Sequence, residues 1–297
     1  MKQKVRLATW CSPLIVALGF WACSQEKPYS PTAGESALTQ LAKQGTPNTT
    51  ESDWGYGEEN GPDQWCNLNP AYSLCCEGVA QTPVNITPEA LEFTDLPDLD
   101  FDYPITELEV EHNGHTIEAI VPAGEATLTI GGTVYDLLQF HFHTESEHNV
   151  LGSALPIEMH LVHRSASGAL AVVGVFIVQG SKHKELDKIF SSLPQNEGDQ
   201  FAVEDFRLSR ILPRNDETFR YSGSLTTPGC SEGVNWNVMA QPIAMSRNQI
   251  NAFQAIFSGE EFPNGNRRPV QPLNGRTLLT DIGQGNLRAM QQNLTAE

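Results

Sequence analysis

Apolar and polar side chains alternate through two stretches of this chain in a way that predicts paired β-strands. Successive side chains of a strand point to opposite faces, so in Gln139-Phe140-His141-Phe142-His143 the two histidines share one face and the two phenylalanines take the other. Glu158-Met159-His160-Leu161-Val162-His163 alternates likewise and puts Glu158, His160 and Val162 on one face. Turn residues near Gly152 and Pro156 let these strands pair antiparallel, which brings His160 beside His141 and His143. Residues 110–120 and 126–138 hold further β-prone runs, separated by Asn113-Gly114, Pro122-Ala123-Gly124 and Gly131-Gly132. Residues 169–179 are almost continuously apolar, as a strand buried on both faces requires. Helical patterning is confined to residues 184–193 and 246–257, the second with Ser246 as N-cap. The expected architecture is mainly β (α+β): a single domain with a large, twisted, mostly antiparallel central sheet and a few short peripheral helices.

Composition adds an address. Lys2, Lys4 and Arg6 precede an apolar run ending at Ala22, so residues 1–23 read as a cleaved export signal; the run is shorter than the roughly 20 apolar residues of a spanning helix. Ala22-Cys23-Ser24 resembles the end of a bacterial lipoprotein signal and predicts a lipid on Cys23, with simple cleavage nearby as the alternative. Residues 24–53 are rich in Ser, Thr, Pro and Gly and read as a disordered tether, and residues 54–297 as the folded domain. Beyond the signal stand Cys66, Cys75, Cys76 and Cys230, an even number expected to pair in an oxidising compartment, periplasmic or at the cell surface. The formal charge of −18 becomes −21 without the signal's three basic residues, and no Lys or Arg occurs between Lys43 and Arg164. Such a surface excludes nucleic acid as a partner and leaves the lipid anchor as the route to a membrane.

Three neutral imidazoles on adjacent strands fit a tetrahedral zinc site with one open position, the arrangement that activates water. A rival reading is a cupin-type metalloenzyme, because His141-x-His143-x3-Glu147 followed by Gly152 imitates a first cupin motif with Glu147 on the metal; His160 lacks the Pro-x-Gly of the second.

Further motifs follow in order: Trp54-Gly55-Tyr56, Gln81-Thr82-Pro83-Val84-Asn85-Ile86, Asn113-Gly114-His115, Ser146-Glu147-His148, Gly223-Ser224-Leu225-Thr226-Thr227-Pro228 and Arg268-Pro269-Val270-Gln271-Pro272-Leu273-Asn274-Gly275-Arg276. With them the sequence resembles the α-class carbonic anhydrases, particularly the exported bacterial ones, from Trp54 to about Arg276. The resemblance implies zinc on His141, His143 and His160, and reversible hydration of carbon dioxide to bicarbonate and a proton by zinc-bound hydroxide. It implies that Gln139 and Glu158 orient His141 and His160, and that the carbonyl of Asn266 orients His143. Thr226 would accept the hydroxide's hydrogen bond and pass its own proton to Glu147, with Glu145 as the rival by strand alternation. His115 would shuttle the proton to solvent through waters organised by Tyr56. Val162, Val172, Leu225, Thr227, Val234 and Trp236 match the lining of the carbon dioxide pocket, and sulfonamides or anions are the expected inhibitors.

The same resemblance makes His148 a buried structural histidine near Glu158, while His163 faces away from His160. Thr82 replaces the family's usual serine and keeps the hydroxyl. Glu118 stands where exported bacterial members often carry glutamine, making the shuttle path more acidic. The doubled Cys75-Cys76 leaves either as the partner of Cys230; spacing to Gly78 and Gln81 favours Cys75 with Cys230, which would leave Cys76 to join Cys66. A catalytically silent zinc-binding module on the same fold is the alternative function.

Overall fold

Period-two patterning becomes a large mixed sheet. The computed structural model describes residues 54–283 and residue 285; the export signal, Cys23 and the tether expected in residues 1–53 lie outside them. The strands in chain order are β1 (Asn85–Ile86), β2 (Leu91–Phe93), β3 (Leu99–Asp102), β4 (Ile105–His112), β5 (Ile117–Ile120), β6 (Thr127–Ile130), β7 (Thr133–His143) and β8 (Asn149–Val150). They continue with β9 (Ile157–Ser165), β10 (Leu170–Gln179), β11 (Gln200–Arg207), β12 (Thr218–Ser224), β13 (Glu232–Met239), β14 (Ile243–Met245) and β15 (Leu278–Thr280). The main sheet runs β11-β4-β5-β7-β9-β10-β13-β12-β15-β2. Its ladders are antiparallel from β11 to β10, and β10 joins β13 in parallel. Glycines at positive φ, Gly131 at 55° and Gly132 at 84°, close the β6–β7 hairpin, a backbone shape that suits strand twist and that side chains disfavour.

Four short helices lie at the periphery of the described residues: α1 (Trp65–Leu68), α2 (Leu74–Glu77), α3 (Asp187–Phe190) and α4 (Arg247–Ile256). The expected start of α4 holds, because the Ser246 hydroxyl accepts from the Gln249 amide while the Gln249 side chain accepts from the Ser246 amide. The expected helix over residues 184–193 shrinks to the single turn of α3. Pro194 biases Leu193 away from helical backbone, and packing of Leu186, Ile189 and Phe190 in the core holds the segment instead.

The sheet separates two buried clusters. Phe140, Phe142, Met159, Leu161, Val173 and Val175 face the larger core, which α3 and α4 cover through Ile189, Phe190, Ile250 and Phe253. Val162, Val172, Val234, Trp236 and Val238 belong to the second cluster, on the face shared with the histidines. Both faces of β9 are therefore buried. No helix among the described residues is long and apolar enough to cross a membrane.

Candidate active site

The register of β7 against β9 places His141 directly opposite His160, and His143 opposite Glu158. Their rings gather closely: the His143 and His160 centroids lie 4.6 Å apart, and those of His141 and His143 4.9 Å. All three are at most 3% exposed. Each ring spends one nitrogen on an acceptor. Nδ1 of His141 donates to Oε1 of Gln139 at 2.8 Å, Nδ1 of His143 to the carbonyl of Asn266 at 2.7 Å, and Nε2 of His160 to Oε1 of Glu158 at 2.8 Å. A proton fixed on one nitrogen leaves a lone pair on the other. The rings can thus present three nitrogens within 4.8 Å of one another, and Nε2 of His143 is buried with no hydrogen-bond partner. An orphaned buried acceptor is costly unless something binds it. Burial drives the His141 and His143 imidazoles below their ordinary pKa, in His141 helped by the two neighbouring rings, so both are held neutral. The donor set fits a borderline-soft divalent ion such as zinc.

Glu158 is the hub behind the ligand face. Its Oε1 also accepts from Nδ1 of His148 at 2.7 Å, and Oε2 accepts from the His148 amide at 2.8 Å. Burial pushes this carboxyl up, but His148 and His160 outweigh it through charge and hydrogen bonds and hold it well below the carboxylate range. His148 continues to the Tyr221 hydroxyl at 2.6 Å, which lies 3.2 Å from Oγ1 of Thr82. The Thr82 hydroxyl in turn accepts from the Ser224 amide at 2.9 Å, close to Thr226 in sequence. A side chain at Gly223 would collide with that hydroxyl and with Trp236, so the Gly-Ser-Leu-Thr-Thr-Pro segment needs its glycine.

The two candidate acids part company. Strand β7 ends at His143, so the alternation that would put Glu145 beside His143 does not continue; Glu145 is exposed and pairs with Arg267 at 3.1 Å. Glu147 is 1% exposed, with Oε1 3.7 Å from Nδ1 of His143 and Oε2 3.8 Å from Nδ1 of His160. Oε1 accepts from the Arg268 amide at 2.8 Å, whereas Oε2 is buried without a hydrogen-bond partner. Thr226 is 5% exposed. The Arg268 guanidinium is itself spent on Gln81, on the carbonyl of Thr82 and on that of Cys75, each at 2.8 Å. Gly265 makes this crossing feasible: any Cβ there would strike the Thr144 carbonyl, and the next residue is the Asn266 that serves His143.

The expected pocket residues come together. Val162 pairs with Val172 across β9 and β10, Val172 with Trp236 across β10 and β13, and Gly223 with Val234 across β12 and β13. The Trp236 ring stands 4.8 Å from that of His160, edge to face. Leu225 packs on the same cluster, and the Thr227 carbonyl accepts from the Cys230 amide at 2.9 Å. Among the described residues there are two disulfides, Cys75 with Cys230 and Cys66 with Cys76. The first ties α2 to the loop after Thr227.

His115 sits apart from the ligands, half-buried on the turn between β4 and β5. Its ring stacks on Trp54 with centroids 3.7 Å apart and planes 10° from parallel, and its carbonyl accepts from Nδ2 of Asn266 at 3.0 Å. Tyr56 is buried; burial first, and then the charge of Glu147, push its hydroxyl well above the ordinary tyrosine value. A cavity of about 460 Å³ reaches Tyr56, Glu147 and Arg268 but none of the three histidines. Arg268, Tyr221 and Trp54 are the participants that sequence reasoning left without a role, although all but Tyr221 stand inside motifs.

A twisted sheet carrying three converged, oriented and buried imidazoles beside a buried apolar cluster defines a candidate metal site. The model of the eukaryotic-type carbonic anhydrase family matches residues 60–282. A carbonic anhydrase of Klebsiella pneumoniae is 41% identical over 250 residues, covering 83% of this chain and 98% of that protein. One from Nostoc sp. is 40% identical over 261 residues, covering 84% and 92%. The solved structure of the α-carbonic anhydrase from Thermovibrio ammonificans, in complex with the inhibitor sulfanilamide, superposes with a TM-score of 0.73 at 36% identity, covering 77% of this chain and all of that one. The chain belongs to the α-carbonic anhydrase family of enzymes.

Proposed function

We propose that the protein catalyses the reversible hydration of carbon dioxide to bicarbonate and a proton, with zinc held by Nε2 of His141, Nε2 of His143 and Nδ1 of His160. The observation that carries this reading is that each of the three buried rings has its other nitrogen engaged, leaving the ligand lone pairs converged. Zinc in such a site lowers the pKa of a bound water to about 7 and so supplies a nucleophile at neutral pH. The residues of the chain do the rest. Gln139, Asn266 and Glu158 fix ring orientation and tautomer. Thr226 accepts a hydrogen bond from the attacking group and donates its own hydrogen bond toward Glu147, whose buried Oε2 has no hydrogen-bond partner. Val162, Val172, Leu225, Thr227, Val234 and Trp236 keep water from the place where carbon dioxide waits. His115 takes the released proton toward solvent, with Tyr56 helping to order the waters between.

Sulfonamides and small anions are the expected inhibitors, since both can take the open metal position. The two disulfides suit an oxidising compartment, and export with a lipid on Cys23 is the corresponding address. Stopped-flow hydration on purified protein, with a zinc assay on the same sample, tests the activity. The expected result is about one zinc per chain and sulfonamide-sensitive hydration; one zinc per chain without hydration would overturn the reading. Mass spectrometry of the native N-terminus tests the address and should find a diacylglycerol on Cys23.

A further inference from the structure

We propose that an acidic collar around the His115 hairpin selects the carrier that takes the proton away, favouring neutral bases that depart as cations over dianions such as hydrogen phosphate. The inference rests on the hydration reading and on His115 as its proton exit. His115 lies on the turn joining β4 to β5, and behind that turn Glu111 stands directly opposite Glu118. Glu118 pairs with His141 on its other side, so the two carboxylates share the face of the ligands. Glu111 is 8% exposed and its Oε1 is buried without a partner. Glu109 follows on the same face and is exposed.

A second set of acids closes the collar from the loop before β11. Glu197 lies against the turn: a Cβ on Gly114 would come within 3.1 Å of its carboxylate carbon. The Gly198 amide donates to the His112 carbonyl at 2.8 Å and the His112 amide to the Asp199 carbonyl at 3.0 Å, so this loop is fastened to the base of the hairpin. Glu197 and Asp199 are both exposed, and both act on His112: burial lowers its pKa while these two carboxylates oppose the fall. The hairpin has no cation of its own, because no Lys or Arg occurs between Lys43 and Arg164. Arg267, next to the Asn266 that holds the His115 carbonyl, is paired with Glu145 at 3.1 Å.

The final proton step breaks an N–H bond of protonated His115 and forms a bond from that proton to a base, which leaves one unit more positive. Imidazole arrives neutral and leaves as a cation, which the collar stabilises. Hydrogen phosphate arrives as a dianion and must first enter the negative potential. Clustered charges raise potentials of several kT per unit charge, and even about one kT depletes a dianion roughly sevenfold near the surface. The depletion fades as salt shortens the screening length to about 10 Å at 0.1 M.

The test compares how imidazole and phosphate, matched in concentration of the basic form, raise kcat for hydration in stopped-flow at several concentrations of an inert salt. In the wild type imidazole should be about 5- to 10-fold more effective at low salt, with the ratio shrinking as salt rises. The double variant Glu109→Gln/Glu197→Gln should lower the ratio by about threefold, and Glu197→Lys should lower it further. kcat/KM for carbon dioxide, which does not include the departure of the proton, should stay unchanged in each and so report an intact fold. A ratio indifferent to salt and to both variants would overturn this proposal alone. A wild-type protein with no hydration activity would overturn the hydration reading, and this proposal with it.

Discussion

Strand β9 carries two buried histidines three residues apart, and they are opposites. His160 faces the histidine cluster and spends only Nε2, on Glu158, so Nδ1 keeps a lone pair that could bind a metal. His163 faces the core and spends both nitrogens: Nε2 lies 2.6 Å from the Tyr103 hydroxyl, and Nδ1 donates to the Ala171 carbonyl at 3.3 Å. Burial is equal, at 1% and 0% exposure. What separates a candidate ligand from a structural histidine here is whether the surroundings leave one lone pair unspent, not how deeply the ring is buried.

The strongest way to break that comparison is to remove the ring. His160→Ala should reduce bound zinc from about one per chain to near none and lower kcat/KM by at least about 10³-fold, because the water loses its activating ion. A His160→Ala protein that keeps zinc and rate would show that the unspent nitrogen is not the criterion. Next in size is the acid behind the site. Glu147→Ala should lower kcat/KM by roughly 10²- to 10³-fold, the scale of losing one orienting hydrogen bond in a reaction centre, with zinc retained, while Glu145→Ala should change it less than twofold. Equal losses in the two variants would reverse their assignment. Gln139→Ala tests the tautomer argument directly and should weaken zinc by about 10- to 100-fold, as measured by competition with a chelator. His115→Ala should lower kcat about tenfold in weak buffer, below the roughly 10²-fold lower end of acid–base effects because water carries part of the flux. It should leave kcat/KM alone and respond to added imidazole; no change in weak buffer would remove His115 from the proton path.

Those residues were not equally legible in the chain. Strand alternation puts His141 and His143 on one face, and the antiparallel pairing suggested by the turn residues near Gly152 and Pro156 adds His160; alternation also predicts that His163 faces away. It fails at Glu145, where β7 has ended and the period no longer applies. The resemblance to the family, not the pattern, points to Glu147, Thr226 and His115. Arg268 and Tyr221 escape because their work is done across long separations, 121 residues from Arg268 to Glu147 and 73 from His148 to Tyr221. No local periodicity encodes a contact of that range. Trp54 is visible as a motif residue, yet its stacking on His115 depends on how the segment before α1 folds back over the β4–β5 turn. The Cys75 with Cys230 bridge is of the same kind: the family spacing indicates it, and the residues themselves leave Cys75 and Cys76 undecided.

The smallest effect on catalysis, and none at neutral pH, is expected on the core side of β9. Burial lowers the His163 pKa to about 4, with the bonds to the backbone opposing it. The unfolded chain returns the ring to about 6.5. Between those values the unfolded state binds the extra proton, so stability must rise with pH across this window. The contribution is complete above about pH 6.5 and is lost as pH falls toward 4, a total of about 3 kcal/mol for a shift of this size. Replacing both partners, Tyr103→Phe with His163→Phe, removes the titrating ring without stranding the tyrosine hydroxyl. Denaturant unfolding at a series of pH values should therefore give a shallower loss of stability between pH 6.5 and 4 in the double variant than in the wild type, with hydration at pH 7.5 unchanged. Equal slopes would mean that His163 is already protonated in the fold, and a neutral ring with both nitrogens spent would no longer describe it.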